Sequence, residues 1–87
     1  MPLRLSADWM VKADDRLLEF LDAEGPHSPV RIKRDDRIEF KKKHNHMRLL
    51  KLESHGLVEK TTIAHGVYKI TDDGRRYLAG DLDAREL

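Results

Sequence analysis

The side chains of this chain that could act together on a ligand are cations. Arg31, Lys33, Arg34, Arg37, Lys41, Lys42, Lys43 and Arg48 crowd one central stretch, and His27, His44, His46 and His55 lie in or beside it. Clustered lysine and arginine suit a polyanion, and a nucleic-acid duplex carries one charge per ~1.7 Å of its axis. The run Lys42-Lys43-His44-Asn45-His46 adds groups that can meet base edges. Lysine donates to guanine O6 and N7, asparagine pairs both ways with adenine, and histidine donates or accepts. Each good pair discriminates between bases by roughly 1–3 kcal/mol. A solvated charged face is the competing reading of Lys41-Lys42-Lys43. Consecutive residues fan around a helix, so the three cannot all face one ligand. Lys43 is the first choice and Lys42 the second. Asn45 is open between a base reader and a buried, satisfied amide.

Other chemistries find little support. The chain has five histidines and no cysteine. His44 and His46 on one helix would point ~200° apart, which is wrong for a single ion, and no His-x3-His pair occurs. No metal and no cofactor are expected. No glycine-rich phosphate loop and no Ser/His/Asp set stand out. The pairs Asp14-Asp15, Asp35-Asp36 and Asp72-Asp73 read as caps and turns. An enzyme is not expected, nor a small-molecule ligand.

Length and charge set the frame. Eighty-seven residues make one domain, 1–87, with a modest core. The formal charge of +1 is unevenly spread. Residues 1–26 carry three basic and six acidic side chains, 27–60 ten and five, and 61–87 four and five. A basic middle between acidic ends is the electrostatic footprint of a nucleic-acid binder, although any chain this polar has a charged surface. No apolar run is long enough to span a membrane, and the first residues do not resemble a secretory signal. A cytoplasmic protein is expected.

These residues need elements to hold them. A first helix is expected over Ala7–Ala23, with Ser6 as N-cap and Met10, Asp14, Leu17, Leu18 and Leu21 on one face. A break near Lys12, with the helix restarting at Asp14, is the alternative. Gly25-Pro26 ends it. Ser28-Pro29 opens a short second helix, with Val30 and Ile32 as its buried contacts. The third helix is placed at Phe40–His55, stopped by Gly56. Leu57–Thr62 and Val67–Ile70 read as a β-hairpin turning at Ala64-His65-Gly66, with Tyr68 and Ile70 on one face and Val67 and Lys69 on the other. Lys60, Thr62, His65 and Lys69 are its polar candidates for phosphate or minor-groove contact, against a plain turn as the alternative. Thr71 caps a last helix, Asp72–Ala79, ended by Gly80. The tail, 81–87, is either a short helical extension or frayed.

The order helix, helix, helix, hairpin, helix resembles the winged helix-turn-helix regulators of prokaryotes. Arg48-Leu49-Leu50-Lys51-Leu52-Glu53-Ser54-His55-Gly56-Leu57-Val58 looks like the end of a recognition helix passing through Gly-Leu-Val into the wing. Gly66-Val67-Tyr68-Lys69-Ile70-Thr71-Asp72-Asp73-Gly74 looks like the return strand and the Thr-Asp-x-Gly start of the next helix. Asp8-Trp9-Met10, Asp15-Arg16-Leu17-Leu18-Glu19 and Tyr77-Leu78-Ala79-Gly80 are similar to archaeal winged-helix proteins of the phage-repressor type. The chain departs from that pattern at Asn45, where an apolar residue is usual, and at Met47 and Leu50, where polar ones are.

The resemblance implies a mainly α (α+β) winged helix that binds double-stranded DNA sequence-specifically as a transcriptional repressor. The third helix would enter the major groove and the wing would flank it. The expected contacts are Arg34, Arg37, Lys41, Lys42, Lys43, His44, Asn45, His46, Arg48, Lys60, Thr62, His65 and Lys69. A homodimer is expected, with Trp9, Met10, Tyr77, Leu82 and Leu87 near the partner. The rival is a protein-interaction winged helix without DNA binding, which exposed Met47 and Leu50 would favour.

Overall fold

The first helix begins later than its apolar spacing suggests, and Asp14 is the reason. In the computed structural model, which describes residues 3–33, 42–62 and 64–87 without the side chains of Val30, Lys33, Lys42 and Lys43, helix α1 spans Lys12–Glu24. Residues 7–10 form a separate turn closed by Met10 N–H on Ala7 O at 3.0 Å. Val11 is extended, and its N–H donates to Asp14 Oδ2 at 3.1 Å while Asp14 N–H donates to Val11 O at 2.9 Å. The carboxylate thus satisfies a donor that the helix start would leave open. Ser6 is not the cap; the break near Lys12 is present, but the helix restarts at Lys12 rather than at Asp14. Gly25, at φ +81°, ends the helix in a conformation open to glycine.

Helix α2 spans Pro29–Lys33, with Ser28 Oγ accepting Arg31 N–H at 3.3 Å and Pro29 in the first position. Ile32 is fully buried, as expected, while the side chain of Val30 lies outside the described ones. Just before α2, His27 exchanges two backbone hydrogen bonds with Tyr68, at 3.0 and 2.9 Å. This bridge, which the sequence did not signal, ties the approach to α2 to the hairpin.

Helix α3 spans Lys42–Ser54, and Phe40 and Lys41, the expected start, lie outside the described residues. It ends as glycine demands. Gly56 sits at φ +79°, Leu57 N–H donates to Leu52 O at 3.0 Å and Gly56 N–H to Glu53 O at 3.0 Å.

Strands β1, Val58–Lys60, and β2, Tyr68–Ile70, pair antiparallel with Val58 opposite Ile70 and Lys60 opposite Tyr68. The expected alternation is present: Tyr68 and Ile70 are buried and Lys69 is exposed. β1 is shorter than expected: beyond Lys60, Thr61 still donates its N–H to Val67 O at 2.8 Å across the hairpin, while its hydroxyl donates to Ala64 O at 3.0 Å within the turn.

Helix α4 spans Asp72–Leu78. Thr71 Oγ1 accepts Gly74 N–H at 3.1 Å and donates to Gly56 O at 2.6 Å, so one hydroxyl caps α4 and clamps it to the end of α3. Gly74 has a steric role: a Cβ there would run into the Leu57 carbonyl and Ile70 Cγ1. The tail is docked rather than frayed. Leu5 bridges Asp83, Ala84 N–H donates to Leu5 O at 2.9 Å, and Ala84–Glu86 form a 3-10 turn.

The core lies between α1, α3, α4 and the hairpin, centred on Leu17, Leu18, Leu21, Leu49, Leu52 and Leu57. Tyr77 belongs to it. The ring is fully buried and its hydroxyl donates to Asp15 Oδ1 at 2.7 Å. The expectation that Tyr77 meets a partner subunit is therefore corrected: a buried aromatic with a satisfied hydroxyl is core material. Trp9, Met10 and Leu82 pack partly buried against the same core, which leaves Leu87 as the exposed member of that group.

Candidate nucleic-acid interface

The inner face of α3 carries Asn45, Leu49 and Leu52, spaced i, i+4, i+7, and all three are fully buried. Asn45 is thus buried, as one of the two alternatives has it, although its Oδ1 accepts no hydrogen bond from the described residues, and its place among the base readers is corrected. Its side chain points into the fold, where no duplex reaches.

Arg48 is corrected as well. Its guanidinium grips Asp14 with two hydrogen bonds, Nε to Oδ1 at 2.8 Å and Nη2 to Oδ2 at 2.7 Å, and Nη2 also donates to Trp9 O at 3.0 Å. Asp14 is fully buried. A fork-on-carboxylate pair of this kind is strong and geometrically defined. The hydrogen bonds to Asp14 raise the Arg48 pKa above its already high ordinary value. The group that looked available for phosphate instead fixes α3 against the start of α1. The signal for this pair lay in the sequence: Asp14 interrupts an apolar stripe, and a carboxylate on a buried face needs a cation.

The outer face of α3 presents His44, His46, Met47, Leu50, Lys51 and Ser54, all exposed. Met47 is 60% and Leu50 43% exposed, so an apolar pair stands in the middle of this face. His46 and Lys51 flank it. Lys51 was not among the expected contacts, although its spacing of i+4 from Met47 places it on this side. The side chains of Lys42 and Lys43 lie outside the described ones, as do Arg34, Arg37 and Lys41 altogether.

On the hairpin, Lys60, Thr62 and His65 are exposed, at and beyond the end of β1. Lys69 is exposed too, but its ammonium lies 3.2 Å from Glu59, directly across the ladder. That partner competes with any phosphate.

The ion pairs sort the cations by region. Arg4, Arg16, Arg75, Arg76 and Arg85 each meet a carboxylate, as Arg48 does. Among the described side chains, the lysines and arginines outside any ion pair are Lys12, Arg31, Lys51 and Lys60. Three of these four stand on α2, α3 and the hairpin. The arginines of the acidic ends are neutralised there, while on the central elements Arg48 and Lys69 are paired and Arg31, Lys51 and Lys60 are not. Arg31, one of the central cations although not among the expected contacts, is exposed and joins Lys51 as a candidate.

The winged helix-turn-helix phage repressor family matches residues 3–87. The chain belongs to this family. A crystal structure of the PhiH1 repressor-like protein from Haloarcula marismortui is similar along almost the whole length, with a TM-score of 0.92 and 40% identity over 99% of this chain and 96% of that one. The curated proteins contain no match. Three helices, a two-stranded wing and a closing helix are therefore a phage-repressor winged helix, and the family places the chain among DNA-binding regulators. Among the described residues, no helix is long and apolar enough to cross a membrane.

Proposed function

We propose that this protein binds double-stranded DNA sequence-specifically and acts as a transcriptional repressor in the cytoplasm. Helix α3 enters the major groove, whose ~12 Å width accepts one helix. The hairpin lies beside it as the wing, and Arg31, Lys51 and Lys60 hold phosphates. The observation that carries the reading is the sorting of cations: arginines of the outer elements are paired, while Arg31, Lys51 and Lys60 on α2, α3 and β1 are not. Arg34, Arg37, Lys41, Lys42 and Lys43 add charge to the same stretch of sequence. His44, His46, Thr62 and His65 complete the polar contacts. A homodimer is part of the proposal, since two symmetric recognition helices suit half-sites ~34–36 Å apart. A monomeric mass in light scattering removes that part alone.

Fluorescence anisotropy on a labelled random-sequence duplex, titrated with salt, tests the reading. A linear fall of log affinity with log salt at a slope near −4 or steeper corresponds to about five phosphate contacts or more. No binding at roughly 50 mM salt, where phosphate binders are strong, overturns it. The exposed Met47 and Leu50 favour the second reading, a winged helix that docks on another protein, and that reading takes over in this event.

A further inference from the structure

We infer that Met47 and Leu50 read the 5-methyl groups of thymines in the major groove, so that the site this protein prefers is set in part by apolar contact. The inference rests on the DNA-binding reading above and deepens it.

The argument starts from what α3 has left to read with. Asn45 is buried and Arg48 is locked on Asp14. Asparagine and arginine are the side chains that pair two-pronged with adenine and guanine, and neither of these two faces outward. The centre of the outward face is held instead by a thioether and an isobutyl side chain, 60% and 43% exposed. Leaving two large apolar side chains in water beside one another is unfavourable, so the face is better suited to a surface that covers them.

The surroundings choose the occupant. Glu53 is the single carboxylate in the α3 segment Lys42–Ser54. It stands about 120° around the axis from Met47 and 60° from Leu50, and is half-buried. His44, His46 and Lys51 share the exposed surface with the apolar pair. An apolar pair rimmed by a lysine and two imidazoles complements the one apolar feature of a polyanionic groove, the thymine methyl, which projects only into the major groove. Spacing agrees. Met47 and Leu50 are three residues apart, about 4.5 Å along the helix and about 60° around it, while successive bases on a strand are about 3.4 Å apart. The two side chains therefore address neighbouring base pairs, one methyl each.

The test alters the DNA first, so it does not depend on a variant folding. A duplex selected from a random pool by the wild-type protein is remade with single thymine-to-uracil replacements, which delete the methyl and leave the hydrogen-bonding edge. One or two neighbouring replacements should each weaken binding by about fourfold, the value of one buried methyl-sized group, and the others should not. Met47→Ala and Leu50→Ala, at exposed positions, should each abolish the sensitivity at one of those positions. If the selected duplex binds with ordinary salt dependence but every uracil replacement is neutral, methyl readout is overturned and DNA binding stands. If methyl sensitivity persists unchanged in both alanine variants, the assignment to these residues is overturned. If no duplex binds at low salt, while Met47→Ala and Leu50→Ala change the mass seen in light scattering, both readings fall and the pair is a contact between copies.

Discussion

Arg48 and Asp14, 34 positions apart in the chain, form a two-pronged ion pair that joins α3 to the first turn of α1. Its two ends do different work. The carboxylate also accepts the Val11 N–H that opens α1, and the guanidinium also holds the Trp9 carbonyl. Helix start, preceding turn and α3 are thereby referenced to one another. Replacing Arg48 by methionine strands a fully buried carboxylate, and the expected cost is about 3–5 kcal/mol, read as a lowered urea midpoint. Asp14→Asn combined with Arg48→Met should recover part of this, because no buried charge remains. Where the variant is folded, its salt slope on DNA should match the wild type. A slope flattened by about 0.9, the mark of one fewer neutralised phosphate, would restore Arg48 to the interface.

Arg31, Lys51 and Lys60 should behave in the opposite way. Each is exposed, so alanine at any of them is expected to change stability by no more than about 0.5 kcal/mol. Each substitution should flatten the salt slope by about 0.9, because one phosphate is no longer neutralised. Lys69→Ala, with Glu59 already beside the ammonium, should flatten it less. Anisotropy titrations on one duplex across a series of salt concentrations compare all of these variants.

Gly74→Ala is expected to destabilise by about 1–3 kcal/mol through overpacking. The added Cβ meets the Leu57 carbonyl, which belongs to the backbone and cannot swing aside, as well as Ile70 Cγ1. The Leu57 carbonyl already accepts Thr71 N–H at 3.1 Å, so displacing it also disturbs the α4 cap. A thermal melt followed by circular dichroism reads the loss; an unchanged midpoint would mean that α4 can move off the hairpin freely.

Alkaline stability follows from the two tyrosines. Burial, and then the Asp15 carboxylate that accepts its hydroxyl, pushes the Tyr77 pKa far above the ordinary value. Burial, and then Glu53, raises Tyr68. Both folded-state values lie above the unfolded ones, so the neutral phenols contribute their stability below about pH 10 and lose it as pH rises beyond. The loss is about 1.4 kcal/mol per pH unit for each tyrosine until its folded value is reached. The phenolate absorbance of Tyr77 should therefore be missing from the native protein at about pH 10.5, just above the ordinary tyrosine value, and arrive together with unfolding. A smooth native titration centred on about pH 10 would show that the rings are accessible to water.

Local features of this protein were decided by local sequence. Ser28 and Thr71 cap helices because a hydroxyl reaches a donor three residues ahead. Gly25, Gly56 and Gly80 end elements because left-handed backbone costs glycine little. Tyr68, Lys69 and Ile70 alternate because a strand has a period of two. With the wing motifs, these were enough for the winged-helix order of elements. The rotation of α3 about its own axis was another matter. Its apolar residues fall on both sides, Leu49 and Leu52 on one and Met47 and Leu50 on the other, so periodicity did not choose between them. Packing against α2, α1 and β1 made the choice, and with it Asn45 turned inward and Arg48 met Asp14. A helix is specified by neighbours three and four residues away, but which face it buries depends on surfaces brought together from far along the chain. That is why the elements could be read from the sequence, while which side chains α3 buries and which it turns outward was decided only by the tertiary structure.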